Sequence, residues 1–228
     1  MDAAADLLLQ GSCPGCHRPG RGVCRQCTNR IMAGEVGPRT RAGIDLPLWS
    51  AGTYADPLPE VISQAKDHQR WDAIELLGVR LSFAVAGLVD ETGLRGPVVL
   101  VPFPSQAQAV RRRGLDFTTT LARSAARHLH RAGLAATAAP VLGFTRRVHD
   151  QGGLTSDDRS RNLNQSVAAR HRLPPAPVIL VDDVVTTGSS LREGVRALAA
   201  ANREPTGLAT IGATILRSQQ NLAGRYLF

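Results

Sequence analysis

Residues 178–190 read Val-Ile-Leu-Val-Asp-Asp-Val-Val-Thr-Thr-Gly-Ser-Ser. The apolar run Val178 to Val181 suits a short strand buried on both faces of a parallel sheet. Two carboxylates, Asp182 and Asp183, end it. A turn of hydroxyl residues around Gly188 follows, and Leu191 to Ala201 reads as a helix. A helix start presents N–H groups without intrahelical partners and the positive end of the helix dipole, and both hold phosphate. Gly188 lets the backbone approach the anion, while Thr186, Thr187, Ser189 and Ser190 add hydroxyl donors. The two carboxylates can accept from ribose hydroxyls, or hold Mg2+ that a ligand carries. The element therefore reads as a sugar-phosphate site. The plainer alternative is a strand-to-helix turn in which Asp183 or Ser189 only caps the helix. No Gly-x-x-x-x-Gly-Lys-Ser/Thr occurs, which excludes a Walker P-loop, and no Gly-x-Gly-x-x-Gly occurs either.

Strands and helices alternate around this element. Val98 to Val101 is a second all-apolar strand, stopped by Pro102-Phe103-Pro104. A helix from about Asp72 to Val89 repeats Ile74, Leu77, Leu81, Val85 and Leu88 at helical spacing. Another, from about Phe117 to Ala132, repeats Phe117, Leu121, Ala125 and Leu129. Asp56-Pro57 opens a helix to about His68, with Asp56 as its cap. Trp49 to Tyr54, residues 136–142 and Leu208 to Leu216 are expected as strands. Residues 143–157 are expected as a mobile loop, and Ser156 to Asn162 as a short capped helix. This order predicts an α/β fold, a parallel sheet flanked by helices.

At 228 residues the chain holds one such domain and a small appendage. Residues 1–32 read as a leader with a cysteine module, 33–47 as a linker or extended arm, and 48–228 as the main domain. No apolar run approaches the roughly 20 residues of a membrane span, and the acidic start lacks the basic region of a secretory signal. The expected location is the cytoplasm. A net charge of +8 and a pI near 10.5 favour anionic partners such as nucleotides, pyrophosphate or nucleic acid. Every basic residue but Lys66 is Arg. Lys66 sits late in a short helix, where a cation suits the dipole, and a compact ammonium also suits a phosphate. Arg123, Arg127 and Arg131 lie opposite the apolar stripe of their helix. They form either a solvated face or a track for a DNA backbone.

All four cysteines fall in Cys13-x2-Cys16-x7-Cys24-x2-Cys27. Two such knuckles can place four thiolates around one tetrahedral zinc ion, with His17 as a stand-in ligand. The spacer is shorter than is common in zinc ribbons. Disulfides and a redox Cys-x-x-Cys are the alternatives; a cytoplasmic setting disfavours the first, and the doubled motif disfavours the second. A closed four-cysteine site has no open position, so the expected role is structural.

In order, these pieces resemble the ComF family of competence-related, phosphoribosyltransferase-like proteins. The resemblance rests on Cys13 to Cys27, Lys66, Pro102-Phe103-Pro104, Arg113-Gly114-Leu115-Asp116, Arg147 with Gln151 through Arg159 and Asn162, and Asp182 to Gly188. It implies a type I phosphoribosyltransferase-like α/β domain behind an N-terminal zinc module. It also implies that the site binds phosphoribosyl pyrophosphate (PRPP) with Mg2+. Asp182 and Asp183 would hold the ribose hydroxyls, and Thr186, Thr187, Gly188, Ser189 and Ser190 the 5′-phosphate. Arg111, Arg112 and Arg113 would hold the pyrophosphate with their forked donors, or else form a solvated basic turn. Residues 146–162 would form a hood that brings in Arg147, Gln151 and Arg159 and excludes water from an oxocarbenium-like transition state. As an enzyme, such a protein would be a glycosyltransferase, moving phosphoribosyl to an acceptor with inversion at C1′ and loss of pyrophosphate. The competence link adds single-stranded DNA, or a DNA-uptake or helicase partner. It also supports a rival reading, a non-catalytic nucleic-acid-binding accessory factor that keeps the PRPP site for sensing. The chain departs from the family at Leu115-Asp116-Phe117, where Phe-Asn-Gln is usual, and at Asn164-Gln165-Ser166-Val167, where an aromatic residue is usual.

Overall fold

A computed structural model describes residues 11–146, 163–170 and 173–215. The strands are β1 (Gly37–Arg41), β2 (Ile44–Ser50), β3 (Val98–Pro102), β4 (Ala136–Ala138), β5 (Leu142–Phe144), β6 (Val167–Ala169), β7 (Val178–Val185) and β8 (Gly207–Ala213). The helices are α1 (Arg25–Met32), α2 (Leu58–Asp67), α3 (Trp71–Thr92), α4 (Ala107–Arg113), α5 (Phe117–Arg131) and α6 (Ser189–Ala199). A six-stranded sheet runs in the order β1-β2-β8-β7-β3-β4. β1 and β2 pair antiparallel, and every other neighbouring pair in it is parallel. β5 and β6 form a separate two-stranded antiparallel sheet.

The alternation of β7 explains the layers. Ile179 and Val181 join the core under α3 and α5, with Leu77, Leu81, Phe117 and Leu121. Val178 and Leu180 join a second core under α6, with Val99, Val101, Leu191 and Leu198. Both faces are buried, so an unbroken apolar run is what the strand requires. The helical stripes are buried as their spacing predicts: Ile74, Leu77, Leu81, Val85, Leu88, Phe117, Leu121, Ala125 and Leu129 are all inside. No helix among the described residues is long and apolar enough to cross a membrane.

Several elements differ from the sequence expectation, each for a local reason. The stretch 33–47 contains β1 and the start of β2; Pro38 lies on the edge strand, where proline is tolerated. The strand expected over Trp49 to Tyr54 ends at Ser50, whose hydroxyl donates to the Gly52 carbonyl (2.9 Å). Asp56 does not cap α2. The cap position falls on Pro57, and Asp56 pairs with Arg30 at 2.8 Å. Residues 136–142 divide around Pro140 between two sheets. β7 runs on through Asp182 to Val185, because pairing with β8 continues from Asp182–Thr210 to Val185–Ala213. Carboxylates are depleted from strands, so the sequence pattern ended it early. α6 begins at Ser189 rather than Leu191. Residues 1–10, most of the 143–157 loop and the Ser156 to Asn162 helix lie outside the described residues.

The cysteine segment leans on the main core. Ile31 belongs to that core, and the buried Arg80 guanidinium donates to the carbonyls of Met32 (3.1 Å), Gly34 (2.8 Å) and Ala51. The tightest helix crossing is at Gly78 of α3, where a Cβ would lie 2.2 Å from Ser124 Oγ of α5. Propensity alone says that Gly78→Ala should stabilise α3 by about 1 kcal/mol. Overpacking costs about 1–3 kcal/mol and should win at this distance. Urea unfolding is expected to show a net loss of stability; a gain would contradict this packing of α3 on α5.

Candidate functional site

β7 delivers the acidic pair to its C-terminal end, and residues 186–188 turn the chain into α6. A cavity of about 330 Å3 opens at this point. Asp182 and Thr186 to Ser190 line it together with an apolar wall of Phe103, Phe144 and Leu163. The Phe103 and Phe144 rings meet edge to face, centroids 6.1 Å apart. The helix cap position is Gly188, in the left-handed region at φ 81°, so neither Asp183 nor Ser189 occupies it. A Cβ at Gly188 would lie 2.9 Å from Ile44 Cδ1, so the fold itself requires glycine there. Thr187 Oγ1 and Ser189 Oγ share a hydrogen bond of 2.9 Å.

Two arginines that do not line the cavity hold the carbonyls of this turn. Arg41, at the end of β1, donates to Thr186 O (2.7 Å) and Val185 O (3.3 Å). Arg192, in the first turn of α6, donates to Thr187 O (2.9 Å) and to Ala42 O of the hairpin (2.8 Å). In a trans peptide the C=O and the next N–H point in opposite directions. These bonds therefore turn the N–H groups of Thr186, Thr187 and Gly188 away from the arginines. The result is a turn whose carbonyls face the two arginines and whose N–H groups face the other way, an arrangement able to receive an anion.

Asp182 and Asp183 have different surroundings. Asp182 is 7% exposed and accepts the Asp183 N–H at 2.8 Å. Burial, and then the Asp183 charge, push its pKa well above the usual carboxylate range. Burial acts the same way on Asp183, but the Lys66 charge together with hydrogen bonds from Asp182, Lys66 and the Val184 N–H holds that carboxyl below its ordinary value. Lys66 Nζ donates directly to Asp183 Oδ2 and lies 5.3 Å from the centroid of the Phe117 ring. Burial alone would lower the Lys66 pKa; Asp183 reverses this and raises it.

The remaining expected residues are placed less directly. Arg111, Arg112 and Arg113 form the last turn of α4, not a loop, and do not line the cavity. Gly114, at φ 67°, ends that helix. Arg113 and Arg112 approach Asp67, the neighbour of Lys66, at 3.1 and 3.8 Å. Asp116 caps α5, accepting from Thr119 N (3.2 Å) and the Ser105 hydroxyl (2.9 Å), which gives an Asp at this position its own structural use. Arg147, Gln151 and Arg159 lie outside the described residues. After them, Glu193 of α6 accepts the N–H groups of Gln165 (3.1 Å) and Val167 (2.9 Å), tying that segment to the helix of the turn. Arg123 and Arg131 are exposed, while Arg127 pairs with Glu75. Sequence reasoning missed Arg41, Arg192 and Glu193. In a chain whose basic residues are nearly all Arg, a single Arg carries no signal.

The cysteines form a second centre. One Sγ from each of Cys13, Cys16, Cys24 and Cys27 lies within 4.8 Å of the others, and all four are free thiols. Cys16 and Cys24 sulfurs are 3.7 Å apart. Tetrahedral Zn–S bonds of about 2.3 Å require sulfurs roughly 3.8 Å apart, so the donor set fits a structural zinc. The N–H groups of Gly15 (3.4 Å) and Cys24 (3.3 Å) point at Cys13 Sγ. Burial raises the Cys13 pKa, but these backbone donors outweigh it and bring it to about 6. Burial, with its neighbouring thiols, pushes Cys27 up.

Two predictions follow from this geometry. Ionising Asp182 opposes folding, because its folded pKa is raised. Asp182→Asn should therefore gain in melting temperature over the ligand-free wild type as pH rises above about 3.9, and match it below. Asp183→Asn should do the reverse. It strands Lys66 and lowers the melting temperature at neutral pH, with the deficit closing in acid as wild-type Asp183 protonates. Equal melting curves at pH 7 would contradict both assignments. For the cysteines, elemental analysis should find about one zinc per chain. Chelation should lower the melting temperature of the whole chain, because α1 shares the main core. A separate early transition would mean an independent module.

No family model matches the chain. It is 27% identical to Competence protein F of Haemophilus influenzae, over 82% of this chain and 83% of that protein. It is also 27% identical to DNA utilization protein YhgH of Escherichia coli K12, covering 82% and 90% of the two chains. The protein of that name from Salmonella typhi is 29% identical, covering 80% and 82%. The motifs and the comparisons thus agree, and the ComF resemblance holds along most of the chain.

Proposed function

We propose that the cavity at the β7–α6 turn binds PRPP or a related phosphoribosyl ligand with Mg2+, on a type I phosphoribosyltransferase-like fold. One observation carries the reading. A turn whose carbonyls are drawn off by Arg41 and Arg192 shares a single cavity with the buried carboxyl of Asp182. The 5′-phosphate takes the N–H groups and hydroxyls of Thr186 to Ser190. Asp182, whose raised pKa lets it donate as well as accept, takes a ribose hydroxyl. Lys66 keeps Asp183 in its acceptor form. Mg2+ arrives on the pyrophosphate, since Asp183 is already engaged. Arg147, Gln151 and Arg159, with the α4 terminus at Arg111–Arg113, meet the leaving group. Transfer to an acceptor makes this a glycosyltransferase. The cysteine cluster holds a structural zinc as four thiolates, and a reducing cytoplasm keeps such cysteines from pairing as disulfides.

Calorimetry should detect PRPP binding in the presence of Mg2+. Asp182→Ala should weaken it about tenfold, because removing the carboxyl leaves a desolvated ribose hydroxyl without a partner, at a cost of about 1–3 kcal/mol. Unchanged affinity in that variant would remove the carboxyl from the ligand and overturn the reading.

A second reading has its own support: the relatives are named for competence and for DNA utilization. In it the protein is an accessory factor on single-stranded DNA, and the exposed Arg123 and Arg131 contact the backbone. Replacing both by Gln should flatten the salt dependence of binding by about 1.4 in log–log slope, as expected for two lost phosphate contacts. An unchanged slope returns the stripe to a solvated face. PRPP binding without pyrophosphate release, across bases and amines, would favour this reading over transfer.

A further inference from the structure

We propose that Arg41 is the buried counter-charge for a phosphate monoester dianion held at the 186–190 turn. This deepens the function proposed above and rests on reading that turn as a phosphate site.

Arg41 is 5% exposed. Its guanidinium donates to Thr186 O (2.7 Å), Thr40 O (2.7 Å), Val185 O (3.3 Å) and Thr214 O (2.6 Å). Every one of these partners is a neutral carbonyl. Among the described residues no carboxylate pairs with Arg41. The charged neighbour that bears on it is another cation, Arg39, and burial and Arg39 together lower its pKa. A buried charge without a counter-ion is costly, and carbonyl dipoles solvate it without neutralising it. Arg80 is as buried and is also held by carbonyls alone; Arg41 differs in that two of its carbonyl partners, Val185 and Thr186, lead into the turn.

The Val185 and Thr186 carbonyls point at the guanidinium, so the N–H groups that follow them point away from it. Each peptide unit then lies with its negative end on Arg41 and its positive end toward an anion. An anion on those N–H groups and the Arg41 cation reinforce the same peptide dipoles from opposite sides. The cation thus acts through the peptides without touching the ligand. Arg41 is a positioning residue, and it favours a doubly charged anion over a singly charged one. It also gives the β1–β2 hairpin a direct stake in the site.

The test uses the full chain with ribose 5-phosphate as probe, read by calorimetry and by phosphorus NMR. Arg41→Lys keeps the charge and loses the fork; Arg41→Gln keeps some hydrogen bonding and loses the charge. The Gln variant should bind at least about tenfold more weakly, while Lys should recover most of that loss, since charge matters more than shape here. The second pKa of the bound phosphate should fall below its free value of about 6 in the wild type and move back toward it in Arg41→Gln. Equal losses in Lys and Gln, or no loss in Gln, would overturn the proposal. A wild-type bound phosphate that titrates like the free one would overturn it even if Arg41→Gln failed to fold. If ribose 5-phosphate binds with this Arg41 dependence but PRPP does not, the function proposed above fails and the role of Arg41 stands. If the wild type binds neither ribose 5-phosphate nor PRPP, both fail.

Discussion

Strand β7 is paired along both edges and covered on both faces, so each of its side chains must find a place in one of two layers. That suits Val178 to Val181. It is a severe demand on Asp182 and Asp183, which extend the same strand. One meets it by lining a cavity, where a raised pKa spares it a full buried charge. The other meets it by pairing with the single lysine of the chain. The acidic pair is thus split by the pleat into two unlike groups. The arrangement around it, from Lys66 on α2 to the turn before α6, follows from that split.

The same strand was the most legible part of the sequence, because its apolar run and the Thr-Thr-Gly turn are local signals. The long helices were equally plain, since Leu77, Leu81, Phe117 and Leu121 repeat at the helical period and are buried accordingly. The contribution of residues 37–47 was not legible. A Pro- and Gly-rich stretch looks like a linker, and only pairing with β8, more than 150 residues away, makes it part of the sheet. Arg41 and Arg192 were hidden for a related reason: their partners are carbonyls brought near by topology. The place of the arginine triplet at 111–113 was likewise not legible. It is a strong local pattern, yet it ends a short helix and leans toward Asp67.

The cysteine cluster also gains meaning from its surroundings. Gly15 has no room for a side chain, since a Cβ would lie 3.0 Å from both Cys27 Sγ and Val61. Arg80 then fastens the exit of α1 to the end of β2 through three carbonyls. From there the hairpin leads to Arg41 and the turn. A continuous run of covalent and hydrogen-bonded structure therefore joins the cysteines to the turn between β7 and α6. A structural zinc would fix one end of it.

The central claim is that a phosphoribosyl ligand seats its 5′-phosphate on the turn between β7 and α6. A crystal structure of the protein with PRPP and Mg2+ tests this most directly. The account predicts phosphate density within hydrogen-bond distance of the N–H groups of Thr186 to Ser190, with the ribose against Asp182. A ligand bound elsewhere, or one whose phosphate avoids this turn, would contradict it.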